Sequence, residues 1–108
     1  MMKGVSGFFL IGAVWLCLGA GSTLAGVEEG RKLFEERKCL VCHSLGEEKG
    51  AMAQLGGPLA GIGSKREAAW LKSYLLDPKS QIPDAKMPKQ TLTDKELEDL
   101  IAYLLNLK

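Results

Sequence analysis

From Gly26 onward, apolar side chains recur every three or four positions, the spacing of helices with one buried face, and they nowhere alternate as they would along a strand. Leu33 and Phe34 fall on one side of the charged stretch from Glu28 to Lys38, which predicts a short helix leading into Cys39. The tetrapeptide SKRE at 64–67 reads as a capping box, with Ser64 as cap and Glu67 three positions on, and it opens a run carrying Trp70, Leu71, Tyr74 and Leu75. Asp77-Pro78 ends that run, because a residue before proline is pushed out of the helical region. The clearest signal comes last: Thr93 and Glu96 form a second capping box, and Leu97, Leu100, Ile101, Leu104 and Leu105 follow along one face. GGPLAGIG at 56–63 and the polar stretch from Pro78 to Gln90 read as connecting loops. The pattern predicts an all-α fold of about three to four short helices, with no internal repeat and no low-complexity tract.

The first 25 residues are patterned differently. Lys3 is the one charge before Glu28, Val5 to Leu18 is almost wholly apolar, and GAGSTLAG follows with small residues. A basic start, an apolar run and a small-residue exit are the layout of a secretory signal peptide, with cleavage after Ala25. The rival reading is an uncleaved N-terminal anchor in the cytoplasmic membrane facing the periplasm. The short apolar run and its trailing glycines favour the signal. Lipid attachment at Cys17 is disfavoured by the bulk of Leu16 before it. Under either reading residues 26–108 form one exported, periplasmic domain.

Setting Lys3 aside leaves 13 basic side chains against 13 acidic ones, a neutral and evenly mixed domain. This excludes nucleic-acid binding, which relies on basic patches to neutralise phosphates. A domain this small also has a marginal core of its own and needs a disulfide, a metal or a bound group to supplement it.

The pentapeptide CLVCH at 39–43 answers that need. A disulfide between Cys39 and Cys42 would close too small a loop to restrain the unfolded chain much. A thiol redox motif belongs beside a βαβ pattern that is absent here. Structural zinc takes four Cys or His ligands, and beyond residue 25 there are three. Covalent haem attachment is what C-x-x-C-H denotes: two cysteine sulfurs add to the two haem vinyl groups, and the following histidine faces the iron.

If the iron takes a second protein ligand, haem-c carriers commonly use methionine, whose thioether favours the ferrous state. Met52 lies nine residues beyond His43, and Met87 lies 44 beyond it. A methionine ordinarily fills core. Met87, however, sits between Lys86 and Pro88 in a polar loop where no apolar face explains it, with enough intervening chain to pass around a haem edge.

With these residues assembled, the chain resembles class I cytochromes c of the short bacterial single-haem type. CLVCH matches the attachment motif, GPLAG at 57–61 is similar to the turn that follows it, and KMP at 86–88 resembles the methionine loop. Gly30 and Phe34, with Tyr103 and Leu104, resemble the family's packed terminal helices. The resemblance covers Val27 to Lys108. It implies a small cytochrome c fold wrapped around one covalently bound haem c. Cys39 and Cys42 would bear the haem, His43 and Met87 would bind its iron, and the Pro58 carbonyl would accept a hydrogen bond from the other nitrogen of His43. Arg66 and Trp70 are weaker candidates for donating to the haem propionates. The implied function is non-enzymatic one-electron transport between redox proteins of an exported respiratory chain, such as a reductase or an oxidase, by a monomer. Lys79, Lys86 and Lys89 are candidates for a docking rim. The alternative is a haem-c enzyme or gas sensor with an open sixth iron position; against it, no second histidine is available for work on peroxide. A third arrangement, a subunit held by its N-terminal anchor in a larger respiratory complex, changes the partner and leaves electron transfer intact.

Overall fold

The computed structural model describes residues 20–108, with side chains from Gly26 onward. The apolar run from Val5 to Leu18, Cys17 within it, and the side chains of the GAGSTLA stretch up to Ala25 lie outside the described residues. In chain order the elements are α1 (Ala20–Glu36), a 3-10 turn (Cys39–Val41), a hairpin of β1 (Ser44–Leu45) and β2 (Glu48–Lys49), α2 (Ala53–Gly56), α3 (Ile62–Lys65), α4 (Ala68–Leu76), α5 (Pro78–Gln81) and α6 (Asp94–Leu105). Among the described residues α1, α4 and α6 are multi-turn helices. The helices α2, α3 and α5 are single turns of four residues.

α6 forms where the pattern predicts it. The Thr93 hydroxyl accepts from the Glu96 amide at 3.1 Å, and the Thr93 amide donates to the Glu96 carboxylate at 2.9 Å, so both halves of the capping box are made. Leu97, Leu100, Ile101 and Leu104 are buried on its inner face, with Leu100 almost wholly enclosed. Each such side chain contributes about 1.5–3 kcal/mol when fully removed from water.

α1 crosses α6 closely. A Cβ on Gly30 would run into the backbone carbonyl of Asp99 and come within 2.6 Å of the Tyr103 Cβ, so glycine permits the approach. One turn on, Phe34 and Tyr103 meet edge-on with ring centroids 5.3 Å apart and planes tilted by 54°. α1 is already helical at Ala20, upstream of the expected Glu28, and so runs through the position after Ala25. It stops where Lys38 turns left-handed, at φ 56° and ψ 41°.

α4 starts differently from its expected cap. Ser64 lies inside α3, Arg66 is extended at φ −134° and ψ 148°, and α4 opens after Glu67 with no side-chain cap. The SKRE segment thus ends one helix and leads into the next, because the extended Arg66 breaks the chain between Ser64 and Glu67 where a capping box requires continuous helix entry. Leu71 and Leu75 are buried, Trp70 and Tyr74 half-buried. Asp77 ends α4 as expected, and Pro78 then opens α5 from its first position, where a missing N–H costs nothing. The loop beyond α5 is tied back to α4 by the Gln90 amide, which donates to the Leu75 carbonyl at 3.0 Å. The hairpin was not legible in the periodicity: its strands are two residues long, joined through Gly46 at φ 64°.

Candidate functional site

Residues 39–43 wind into one tight turn. The amides of Cys42 and His43 both donate to the Cys39 carbonyl, at 3.2 and 3.0 Å, which gathers the two cysteines and the histidine on a single loop of backbone. The turn is buttressed from outside: the Gly50 amide donates to the Leu40 carbonyl at 2.6 Å, Met52 to Val41 at 3.0 Å and Gly56 to Cys42 at 2.7 Å. Both thiols are free and half-buried. Burial pushes the Cys39 thiol up to about 11, so it stays protonated at neutral pH, the opposite of an activated redox thiol.

The His43 ring is held from two sides. A Cβ on Gly56 would come within 2.5 Å of the ring carbon Cε1 and 2.6 Å of Nδ1, so glycine makes room for the imidazole. Nδ1 lies 3.1 Å from the Gly57 carbonyl. A carbonyl only accepts, so Nδ1 carries the proton and the neutral ring keeps its lone pair on Nε2. The resemblance implied Pro58 in this role; the observed partner is the residue before it. The Ser44 amide donates to the Gly57 carbonyl at 3.3 Å, and the Leu59 amide to the Ser44 carbonyl at 2.9 Å. The Gly57 carbonyl thus serves both His43 and Ser44.

His43 and Met87 line one cleft of about 220 Å³, whose walls include Phe34, Leu59, Ile62, Leu71, Leu75, Leu100 and Leu104. The cleft opens into a hollow of about 380 Å³ bordered by Cys39, Cys42, His43 and Met87. One wall is a stack: the Arg66 guanidinium lies 4.0 Å from the centre of the Trp70 ring, and Trp70 lies parallel to Tyr74 with centroids 5.0 Å apart. Met87 is half-buried against the core, its loop fixed by the Gln90 tie, whereas Met52 is 47% exposed on the outer surface. Lys79, Lys86 and Lys89 surround a shallow hollow beside Met87 together with Asp77 and Asp84.

The structure therefore brings Cys39, His43 and Met87 around one apolar cleft, with Pro58, Arg66 and Trp70 on its walls, and places Cys42 on the adjoining hollow that shares those three residues. Gly56 and Gly57 were missed as partners of His43; their signal was the Gly-Gly pair ahead of proline, a place for a left-handed residue, which Gly57 supplies at φ 76°. The donor set suits a flat apolar group with a metal at its centre: an imidazole nitrogen with a free lone pair, a thioether, two cysteine sulfurs and apolar walls.

Comparison with known proteins gives the same answer independently. The family model for Cytochrome c matches residues 27–108. Cytochrome c2 of Rhodoplanes tepidamans is 33% identical over 99 residues, spanning 72% of this chain and 89% of the relative. Cytochrome c2 of Blastochloris viridis is 29% identical over 125 residues, spanning 96% of this chain and 92% of the relative. Cytochrome c oxidase subunit 2 of Alkalihalophilus pseudofirmus is 30% identical over 89 residues, spanning 74% of this chain and 25% of that protein. With a family match from Val27 to Lys108 and a helical fold closed around an apolar cleft behind CLVCH, the chain belongs to the cytochrome c family, whose cofactor is covalently bound haem c.

Proposed function

We propose that this cytochrome is a one-electron carrier in which Cys39 and Cys42 hold the haem by thioether bonds while His43 and Met87 take its two axial positions. The observation that carries the reading is the meeting of His43 and Met87, 44 residues apart in sequence, on one apolar cleft that excludes Met52. When bound, the haem supplies an iron that changes oxidation state by one electron. The protein's part is to hold that iron in unchanged surroundings. The Gly57 carbonyl fixes the His43 ring and increases its donor strength through Nδ1. Met87 offers sulfur from a loop anchored at Leu75. The leucines around them keep water out, which lowers the local dielectric and limits reorganisation. With His43 and Met87 both given to its iron, the group would be left to exchange electrons and not to react with oxygen or peroxide.

Electron exchange then takes place with redox-partner proteins. The lysines beside Met87 supply the positive side of the docking rim, and the relation to an oxidase subunit supports a respiratory partner. Residues 1–25 act as the export signal, cleaved after Ala25 to release a periplasmic protein; the match to Blastochloris viridis cytochrome c2 spans 96% of the chain and so extends into this segment. No helix among the described residues is long and apolar enough to cross a membrane. The deciding measurement is the optical spectrum of the purified ferric protein. A weak red charge-transfer band, characteristic of methionine on haem iron, is expected; its absence, with ready binding of carbon monoxide to the ferrous protein, would move an open-haem sensor or enzyme ahead of the carrier.

A further inference from the structure

Asp99 is a carboxylate to which the electron-transfer site assigns no task. It lies on α6, 8% exposed, turned toward α1. Burying a carboxylate is costly unless cations or hydrogen-bond donors meet it. Lys95, one turn earlier on the same helix, reaches Oδ2 at 2.6 Å with a side chain that is itself 72% exposed. The other oxygen, Oδ1, faces Gly26: a Cβ built there would stand 3.4 Å from it.

Gly26 is the first residue left by cleavage after Ala25. In the uncut chain its nitrogen is an amide inside α1, which already runs through Ala20–Gly26. Cutting there turns that nitrogen into an ammonium and moves the start of α1 to Gly26. The first turn of the shortened helix then contains Glu28 and Glu29, the acidic side chains that complement the positive end of a helix dipole. Two separate observations, the carboxylate beside Gly26 and the acidic pair behind it, thus suit a helix whose first residue is Gly26.

We propose that export processing creates a structural ion pair, in which the new α-ammonium of Gly26 binds the Asp99 carboxylate and clamps the start of α1 onto α6. The inference rests on the cleavage proposed above. Lys95 on α6 meets the Asp99 carboxylate directly, and Glu29 on α1 and Glu98 on α6 act in turn on the Lys95 ammonium. Asp99 raises the Lys95 ammonium further above its ordinary value of 10.5, so Lys95 stays charged through the range in which an α-amine titrates.

The test uses the exported, haem-loaded protein. Intact mass reads the cleavage by itself: a chain beginning at another residue overturns the processing reading, whatever Asp99 does. With Gly26 at the terminus, its α-amine is titrated by nitrogen-15 NMR of glycine-labelled protein. A midpoint about one pH unit above the ordinary 7.7–8.0 is expected, returning to that range in Asp99→Asn. Because the folded value is raised, the stabilisation is complete below about pH 8 and disappears as the pH climbs through the folded value. Selective acetylation of the α-amine is the second arm, and its first reading is on the wild-type protein alone. It should lower the urea midpoint of the wild-type protein and leave that of Asp99→Asn unmoved. An ordinary amine midpoint in the wild-type protein, or equal loss on acetylating both proteins, overturns the pair.

Discussion

Met87 is the residue on which the carrier reading depends. Met87→Ala should leave haem covalently attached, open the iron to carbon monoxide or azide, and lower the reduction potential by an appreciable part of the about 0.8 V that axial ligands command. The sign follows from chemistry: a thioether favours ferrous iron, and water in its place favours ferric. Met52→Ala, on the outer surface, should change neither potential nor ligand binding. Redox titration and carbon monoxide difference spectra check both. At the attachment turn, Cys39→Ala or Cys42→Ala should leave haem on one thioether or unattached, read by extraction in acid acetone. CLVCH made the cofactor legible, because few chemistries need that spacing. The Gly57 contact was not legible, since which carbonyl meets a histidine depends on the direction of an extended backbone segment and not on residue type. Lys38 was invisible for a related reason: a left-handed residue is a property of the path between α1 and the turn. Lys38→Gly should raise stability by about 0.5–1 kcal/mol, the strain relieved outweighing the extra freedom glycine gives the unfolded chain.

Among the elements, α6 was readable almost residue by residue, its capping box and apolar stripe both being local signals. α4 was readable in its buried face but not in its start. A capping box is a four-residue pattern that also occurs by chance, and SKRE here straddles two helices. Thr93→Ala should cost about 1 kcal/mol in urea denaturation by uncapping α6. The Thr93 backbone N–H, with Arg37 nearby, holds the Glu96 carboxyl below its usual range. A lowered carboxyl stabilises the fold above its ordinary value and ceases to do so as pH falls through the folded one. The penalty of Glu96→Gln at pH 7 should therefore shrink toward nothing in strong acid. The crossing of α1 and α6 answers to a different test. Gly30→Ala forces a methyl group against Asp99 and Tyr103 and should cost about 1–3 kcal/mol, seen as a lower urea midpoint with no change in potential.

For the whole molecule, class and cofactor were legible because a small helical domain with one C-x-x-C-H motif leaves few alternatives. The meeting of His43 and Met87 was legible partly from spacing and partly through the resemblance, since it depends on how the loop between Pro78 and Gln90 is carried back to Leu75. The α1–α6 crossing has one more consequence, and it concerns order in time. Gly30 and Tyr103 are 73 positions apart, and every loop that borders the cleft lies between them in the chain. A chain threaded across a membrane amino-end first delivers the attachment turn long before α6 emerges to supply Leu100 and Leu104. Until then the cleft lacks a wall and its cysteines stand open to whatever loads them. Under the export proposed above, the helix crossing would be a latch whose second half arrives last, because its two halves stand far apart in the chain.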